Sequence, residues 1–343
     1  MIGIGVIGHG YWGRHLVRNF YQYNGTELIA VSDLVEKNRE IVKELYPTIK
    51  VTDDYKELLN DPKITGIVIA TPVETHYQLT KEALEAGKHV LVEKPLTGSA
   101  QQSKELVDLA NEKGKVLMVD HTFLYMTETE KMRDLVQSGE LGNIYTVDVQ
   151  RVSLGLFQKT VNVIQDLAPH DISILNYLLN SKPTHVHTTA AYACAGNGEG
   201  MEDTAHLVFD YPNAKIVTLH VSWIHPEKKR LLTVAGSKKM AVCDFDAKSG
   251  PIHIYNRGAD NYKPHNPQDS HTGYNLVQYR DNEILIPPVK GAEALRSVAE
   301  EFTKSIVEGR KPKTSGEDGL HVVQILDAAL QSMKEGRKIE IKY

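Results

Sequence analysis

Residues 8–13 read Gly8-His9-Gly10-Tyr11-Trp12-Gly13, a G-x-G-x-x-G pattern between an apolar run and an amphipathic stretch. The apolar run 2–7 predicts a buried strand, and the stretch 11–23 predicts a helix. The next predicted strand, 27–32, is followed by Asp33, an acidic residue about twenty positions after the last glycine. Strand, glycine turn, helix and acidic residue in this order are typical of a dinucleotide-binding βαβ unit.

Each residue of this motif has a predicted role in holding a dinucleotide. Gly8 permits the tight turn, Gly10 lets a pyrophosphate approach the backbone, and Gly13 lets the helix pack closely on the strand. Asp33 accepts hydrogen bonds from ribose hydroxyls and repels a 2′-phosphate, which favours NAD over NADP. The alternative is a glycine-rich turn beside a surface aspartate. The other residues of the predicted cofactor loop are His9, Tyr11 and Trp12.

Short apolar runs alternate with amphipathic stretches through residues 1–121, the first predicted domain. Beyond the first two strands, we predict strands at 50–51, 67–70, 89–92 and 116–120 and helices at 35–45, 54–59, 76–86 and 100–113. Continuously apolar strands that alternate with helices indicate a parallel sheet covered on both faces. The expected fold class is therefore α/β, with an N-terminal doubly wound Rossmann sheet.

The pattern changes in residues 122–343, the second predicted domain. We predict helices at 131–138, 166–179, 293–308 and 316–334, and strands at 186–193, 205–209, 216–223, 230–235 and 240–245. Turn-forming residues between consecutive strands favour an α+β domain with a mostly antiparallel sheet. The polar stretch Asp260–Ser270 predicts a loop. The terminal helices are candidates to pack back on the first domain.

Composition narrows the possible partners and surroundings. The net charge is −5, so no basic excess is present to bind nucleic acid. No apolar run reaches membrane-spanning length, and the apolar start reads as a strand rather than a signal peptide. The two cysteines, Cys194 and Cys243, form no metal-ligand spacing and suit a reducing cytosol. We therefore expect a cytoplasmic protein.

Two further loops follow predicted strands of the first domain. Ala70-Thr71-Pro72 follows one strand and Glu93-Lys94-Pro95 follows the next. Ligands bind at the carboxyl ends of the strands in open α/β sheets, so both loops are candidate cofactor contacts, together with His76. For Thr71-Pro72, an ordinary proline-terminated loop remains the alternative.

Together with a later Asp166-Leu167-Ala168-Pro169-His170-Asp171, these motifs resemble those of the Gfo/Idh/MocA oxidoreductases. The resemblance covers nearly the whole chain and implies hydride transfer between NAD and a secondary hydroxyl of a sugar-like substrate. It also implies a homo-oligomer, a lysine at position 94 that contacts the reacting hydroxyl, and a cis Lys94–Pro95 peptide. The stretch around 166–174 and Ser222-Trp223 resemble members that oxidise nucleotide-linked amino sugars at C3.

The residues themselves support this chemistry. Removal of hydride from an alcohol releases the hydroxyl proton, which needs an acceptor and a stabilising positive charge. Lys94 supplies the charge. Asp166 and His170 share one helical face, and histidine exchanges protons near neutral pH. We predict His170 as the base, Lys94 as electrophilic partner and proton relay, and Asp166 as the group that orients substrate, although the residues leave open which of the first two is the principal base.

Several alternatives stay open at this stage. Asp166 is also a candidate helix N-cap, because Pro169 is tolerable only in the first turn of a helix. Candidate substrate contacts are Tyr125, Gln165 and Arg230, with core filling, a solvated polar side chain and a surface salt bridge as the respective alternatives. His185 and His187 lack a third ligand, so no metal is expected.

Three classes of function fit these residues. The first is an NAD-dependent dehydrogenase of sugars, nucleotide-sugars or inositols. The second is a hydrolase or isomerase that oxidises its substrate transiently and keeps its NAD. The third is an NAD-sensing regulator without catalysis, which the set Lys94, Asp166 and His170 argues against. In addition, the second domain's antiparallel sheet must protect its outer face, which also predicts a homo-oligomer.

Overall fold

The structure, a computed structural model, describes residues 1–158, 160–193, 201–261, 277–289 and 291–343. The chain divides into two compact units. Unit 1 comprises residues 1–126, 292–327 and 342–343, and unit 2 comprises residues 127–291 and 328–341. Each is built around its own sheet.

Unit 1 contains a six-stranded sheet in the order β3-β2-β1-β4-β5-β6, and every pair is parallel. Its strands are β1 Ile2–Ile7, β2 Thr26–Ser32, β3 Lys50–Thr52, β4 Gly66–Ile69, β5 His89–Glu93 and β6 Leu117–Asp120. Its helices are α1 Gly13–Gln22, α2 Glu36–Leu45, α3 Lys56–Asn60, α4 Val73–Glu85, α5 Ala100–Lys113 and α8 Ala294–Glu308, with the first part of α9 Gly316–Glu335. A 3₁₀ turn spans Thr122–Tyr125. The predicted doubly wound Rossmann sheet is confirmed.

The central strands of this sheet, β1 and β4, are wholly apolar or glycine because helices cover both of its faces. All six residues of β1 and all four of β4 are buried. On one face, Phe302 of α8 and Phe20 of α1 meet edge to face at 6.3 Å and pack with Ile4 and Val6 of β1. Burial of this apolar area stabilises unit 1 and fixes the strand ends that carry the predicted cofactor loops.

Unit 2 contains a nine-stranded sheet in the order β14-β13-β12-β11-β7-β10-β9-β8-β15. Its strands are β7 Ile144–Leu154, β8 His185–Ala191, β9 Thr204–Asp210, β10 Ala214–Ser222, β11 Ile224–Gly236, β12 Met240–Asp244, β13 Ile252–Asn261, β14 Val277–Leu285 and β15 Ile339–Glu340. Its helices are α6 Thr127–Gln137, α7 Val163–Leu179 and the last part of α9. Only β7 and β10 pair in parallel among these described strands, so the predicted mostly antiparallel sheet is confirmed.

Several strands of unit 2 depart from the sequence expectation. No element is predicted at the central strand β7, at β13 and β14, or at the two-residue strand β15. The predicted loop Asp260–Ser270 is wrong at its start, because the backbone of Asp260 and Asn261 continues β13 and pairs with β14. The rest of that predicted loop, 262–270, lies outside the described residues, as does Cys194.

Two kinds of feature are absent from the described part of the chain. It contains no helix that is both long and apolar enough to cross a membrane. It also contains no group of three or more His, Cys, Asp or Glu side chains arranged to hold a metal ion.

Candidate active site

The three motif glycines have different surroundings. A Cβ on Gly8, whose φ is +96°, would lie 2.6 Å from the carbonyl oxygen of Ala70. A Cβ on Gly13 would lie 2.2 Å from the carbonyl oxygen of Gly8. A Cβ on Gly10 would meet no atom within 4 Å. The outer two glycines therefore permit close packing of the chain, whereas Gly10 faces open space of the kind a pyrophosphate needs.

Asp33 fixes the glycine turn to the end of β2. Its Oδ2 accepts hydrogen bonds from the His9 backbone N–H at 2.6 Å and from the Asn38 amide at 3.2 Å. Its Oδ1 accepts from the Val35 backbone N–H at 2.8 Å. The side chain of Arg39 donates to the carbonyl oxygen of Asp33 at 2.9 Å. The predicted ribose-binding carboxylate therefore already has a fixed position beside the glycine turn.

The remaining residues of the glycine turn differ in exposure. Tyr11 is 77% exposed and Trp12 is 36% exposed. The indole N–H of Trp12 donates to Asp120 Oδ2 at 3.2 Å, which connects the glycine turn to the end of β6. The hydroxyl of Thr122 donates to the other oxygen of Asp120 at 2.7 Å. The last part of the glycine turn and the end of β6 are therefore linked within unit 1.

Polar side chains without a hydrogen-bond partner collect at the carboxyl ends of the strands. Among the described residues, both ring nitrogens of His9, both of His121 and Oε1 of Glu93 are buried and have no such partner. Burial lowers the pKa of His9. Burial, and then the positive charge of Lys94, lowers the pKa of His121 to about 3. Both rings are therefore neutral at physiological pH and able to donate and accept one hydrogen bond each.

These unpartnered groups give a test of whether a dinucleotide fits. Buried polar atoms without partners cost free energy, so a group of them indicates a ligand that completes their hydrogen bonds. Open space at Gly10, an acceptor carboxylate at Asp33 and the unpartnered set lie along one edge of one sheet. A pyrophosphate, a ribose and a ring that carries a carboxamide match these three features. The residues fit an NAD-type cofactor.

Glu93 and Lys94 lie at the end of β5, beside Asp120 on β6. Burial, and then the nearby charge of Asp120, raises the pKa of Glu93 well above its ordinary value. The buried position and the neighbouring carboxyl group therefore both disfavour a negative charge on Glu93. Its Oε2 accepts a hydrogen bond from the Lys94 backbone N–H at 3.2 Å. The expected cis Lys94–Pro95 peptide is confirmed.

The loop after β4 contains Thr71 and Pro72, and α4 begins directly after it. Thr71 and Thr75 share a hydrogen bond between their hydroxyls at 2.6 Å. His76 is buried, and its two ring nitrogens lie 2.9 Å from the carbonyl oxygens of Thr71 and Pro95. The prediction of His76 as a cofactor contact is revised, since backbone carbonyls occupy both nitrogens.

In unit 2, the helix that carries Asp166 and His170 begins earlier than expected. Its N-cap is Asn162, whose side chain accepts from the Gln165 backbone N–H at 3.1 Å. Asp166 is the fourth helical residue, so its interpretation as an N-cap is wrong, and Pro169 lies in the second turn rather than the first. The indole N–H of Trp223 donates to Asp166 Oδ2 at 3.2 Å, which fixes the carboxylate four residues before His170.

The three candidate substrate residues are engaged within their own units. Gln165 completes the capping box, because its Oε1 accepts from the Asn162 backbone N–H at 3.2 Å. Arg230 pairs with Asp246 at 3.1 Å, as the salt-bridge alternative predicts. The hydroxyl of Tyr125 shares a hydrogen bond with Thr314 at 3.0 Å, and its ring packs on the apolar core of unit 1. The core-filling alternative therefore describes Tyr125, and a capping role replaces the solvated side chain expected for Gln165.

Sequence reasoning missed a buried ion pair beneath the predicted catalytic helix. Arg151 of β7 donates from Nε and Nη2 to the two oxygens of Asp171 at 2.7 and 2.8 Å. Both side chains are at most 5% exposed. Asp171 follows His170 directly, so this bidentate pair fixes α7 on the sheet next to the histidine. An arginine inside an otherwise alternating apolar strand was the available signal.

The whole chain is similar to known oxidoreductases. Residues 2–121 match a family described as "Oxidoreductase family, NAD-binding Rossmann fold", and residues 133–341 match the C-terminal alpha/beta domain of the same family, GFO/IDH/MocA. The NADP(+)-dependent scyllo-inositol 2-dehydrogenase IolW of Bacillus subtilis is 26% identical over 100% of this chain and 96% of its own length. The uncharacterized oxidoreductase YdgJ of Escherichia coli is 31% identical over 69% of each chain.

Solved structures agree in fold. The GenD2 protein of gentamicin A biosynthesis, solved in complex with NAD, superposes with a TM-score of 0.81. It is 23% identical and covers 100% of this chain and 97% of its own, a likeness that supports the fold alone. The two matched domains together span nearly all of the sequence. The chain therefore belongs to the GFO/IDH/MocA family of NAD(P)-dependent oxidoreductases.

Proposed function

We propose that this oxidoreductase is an NAD-dependent dehydrogenase that transfers hydride between nicotinamide and a secondary hydroxyl of a sugar-like substrate. The observation that carries the proposal is the unpartnered polar set at the carboxyl edge of the parallel sheet, within reach of the positive charge of Lys94. A cationic side chain beside hydrogen-bonding groups that lack partners suits a ligand with a developing oxyanion. NAD supplies the hydride acceptor when it is bound.

We assign the proton chemistry to three residues. His170 accepts the hydroxyl proton, and Lys94 stabilises the oxygen and relays the proton. Asp166, fixed by Trp223, orients the substrate. General acid–base catalysis of this kind contributes roughly 10²- to 10⁴-fold to a rate. Replacement of His170 or Lys94 separately, with pH profiles of both variants, identifies which residue is the principal base.

We propose NAD rather than NADP because Asp33 lies at the end of β2 with its carboxylate fixed beside the glycine turn. A fixed negative charge there repels a 2′-phosphate. The variant Asp33→Asn keeps the shape and removes the charge. We expect it to lower the ratio of the NADPH dissociation constant to the NADH dissociation constant by about tenfold or more, equivalent to roughly 1.4 kcal/mol. An unchanged ratio would show that another group sets the preference.

The substrate class has two candidates. One relative is named as an inositol dehydrogenase, which supports a cyclic polyol or a free sugar. The finer proposal, a nucleotide-linked amino sugar oxidised at C3, rests on the resemblance of residues 166–174 and Ser222-Trp223. Arg230, the expected phosphate ligand, is already paired with Asp246. We therefore rank the polyol or free sugar first.

A screen for NAD reduction tests the function directly. Inositols, aldoses, and UDP- and dTDP-linked sugars are each offered with NAD, and absorbance at the NADH band is followed. Lys94→Ala should abolish any activity found, whereas Lys104→Ala, at an exposed ion pair on α5, should retain it. No NADH from any class, with NADH binding intact, would contradict the proposal. Conversion of a substrate without added NAD would instead indicate a hydrolase or isomerase that retains its cofactor.

We also propose a homo-oligomer formed through the outer face of the nine-stranded sheet. Val208 and Ile216 lie on that face and are 38% and 50% exposed. His206 and His220 stack there with ring centroids 4.0 Å apart. A second copy of the sheet would bury these side chains. Light scattering that gives a monomer mass at micromolar concentration would refute the oligomer.

A further inference from the structure

We propose that His76 is a positioning residue that anchors the loop of Lys94 onto the loop after β4. The inference rests on the proposed function, in which Lys94 is a catalytic residue. His76 itself is not assigned any contact with substrate or cofactor, because it is 1% exposed. Its role is to hold one backbone segment against another.

The geometry of His76 joins two separate loops. The residue lies in the first turn of α4, and its side chain passes between the ends of β4 and β5. Nε2 lies 2.9 Å from the carbonyl oxygen of Thr71. Nδ1 lies 2.9 Å from the carbonyl oxygen of Pro95, the residue that follows Lys94. One ring therefore bridges the two loops, and each contact uses its own nitrogen.

Both loops contact parts of the proposed cofactor site. The residue before Thr71, Ala70, lies so close to the glycine turn that a Cβ on Gly8 would approach its carbonyl oxygen to 2.6 Å. Pro95 follows Lys94 by one peptide, so the position of its carbonyl oxygen constrains the backbone of Lys94. The ring therefore holds the segment that carries Lys94 at a fixed distance from the loop that packs on the glycine turn.

The ring's protonation determines how it bonds to these carbonyls. Carbonyl oxygens only accept hydrogen bonds, and a neutral imidazole has one N–H. Burial, as the largest influence, lowers the pKa of His76, whereas the two carbonyls raise it; Lys94 then lowers it and Glu74 raises it. At neutral pH the ring is therefore neutral, and its tautomer selects the loop that receives the hydrogen bond. The two contacts are for this reason separable by substitution.

Two amide substitutions separate the contacts. In His76→Asn the side-chain amide nitrogen takes the place of Nδ1 and retains a donor toward Pro95. In His76→Gln the amide nitrogen takes the place of Nε2 and retains a donor toward Thr71. Both variants bury one neutral amide at the same position, so each is the matched control of the other. Far-UV circular dichroism and amide exchange in strands β1 and β2 of the six-stranded sheet report whether unit 1 of each variant is folded.

Hydrogen–deuterium exchange of the full chain tests the anchoring without substrate or NAD. We expect His76→Gln to speed amide exchange in residues 94–98 by about tenfold, the loss that follows when a buried carbonyl loses its donor. His76→Asn, which keeps the donor toward Pro95, should leave the exchange of that segment unchanged. If both variants loosen residues 94–98, or neither does, or only His76→Asn does, the anchoring role is overturned.

Binding and turnover then connect the anchor to chemistry. NADH dissociation constants are measured by fluorescence, and turnover is measured with NAD and the polyol or sugar found in the screen. We expect His76→Gln to lower kcat with little change in NADH affinity, because it displaces the segment of Lys94 and leaves the glycine turn and Asp33 in place. Equal losses of kcat and affinity would indicate a merely structural histidine. Failure of the screen would overturn the dehydrogenase, whereas the exchange experiment would still test the anchor independently.

Discussion

The buried side chains at the carboxyl ends of the parallel strands and two candidate substrate residues of unit 2 differ in how far their hydrogen bonds are satisfied. At the carboxyl edge of the parallel sheet, His9, His121 and one oxygen of Glu93 are buried without hydrogen-bond partners. In unit 2, Gln165 caps a helix and Arg230 pairs with an aspartate. Buried groups without partners at strand ends indicate a place organised around a ligand, whereas the contacts of Gln165 and Arg230 serve the fold itself.

This difference separates two kinds of experimental effect. Substitutions at the edge of unit 1 should change ligand binding more than folding. Substitutions in the satisfied set of unit 2 should change folding more than ligand binding. Lys94 and His170 lie outside this rule, because they are assigned to the chemical step. Equal responses of binding and folding in the two sets would contradict this difference.

The largest expected effect is on the buried ion pair of unit 2. Asp171→Asn leaves the Arg151 guanidinium, 4% exposed, without its countercharge. Breaking a buried pair on one side costs about 3–5 kcal/mol, which we expect to see in the free energy of unfolding from urea titrations. Lys104→Ala, which removes an exposed pair, serves as the control and should change that free energy little.

NADH binding to Asp171→Asn completes this test. At a temperature where the variant remains folded, we expect its NADH dissociation constant to match that of the parent protein. A loss in affinity comparable to the loss in stability would mean that the ion pair shapes the cofactor site as well, and the separation between the two regions would not hold.

The second expected effect is a contrast between two glycines of one turn. Gly10→Ala places a methyl group in open space, so folding should be unchanged while NADH binds at least about tenfold more weakly, roughly 1.4 kcal/mol. Gly13→Ala places its methyl group 2.2 Å from a carbonyl oxygen and should lower the melting temperature as well as the affinity. Calorimetry and fluorescence titration measure the two quantities. If Gly10→Ala binds NADH as tightly as the parent protein, the pyrophosphate does not bind at this loop.

The third effect is a pH dependence that His121 produces. Its folded pKa of about 3 lies below the ordinary 6.5. Between these values the unfolded chain holds one more proton than the folded chain, so stability rises with pH in that window by about 1.4 kcal/mol per unit. His121→Phe removes this group. Urea titrations at pH 5 and pH 6 should therefore show a smaller difference for the variant than for the parent protein, and equal differences would assign the ring a normal pKa.

The sequence predicted the fold well where burial is uniform. The central strands β1 and β4 are apolar or glycine on both faces, and the glycine motif located the turn between β1 and α1. The strand β7 was missed because Arg151 occupies an inward-facing position, where only its pairing with Asp171 makes a charge tolerable. That pairing joins residues from different elements, and no local pattern contains it.

The start of α7 shows a similar limit. Pro169 is ordinarily confined to the first turn, which placed the predicted helix start at Asp166. In the structure the helix begins at Val163, and Pro169 lies in its second turn. The pattern Asn162-x-x-Gln165 is a capping-box signature and was available in the sequence. The role of His76 was not available, because its partners are backbone carbonyls of two other loops.

The smallest effect concerns Gln165, the residue for which a substrate role and a helix-capping role compete most directly. Gln165→Ala breaks one side of the capping box, so we expect a loss of about 1 kcal/mol in the free energy of unfolding and no change in the Michaelis constant of any substrate found. Gln331→Ala, at an exposed side-chain hydrogen bond on α9, is the matched control and should change neither quantity. A raised Michaelis constant with unchanged stability would show that Gln165 contacts the substrate. It would also place a ligand-facing residue in the set of unit 2 that the structure shows as satisfied, which would narrow the contrast between the two regions.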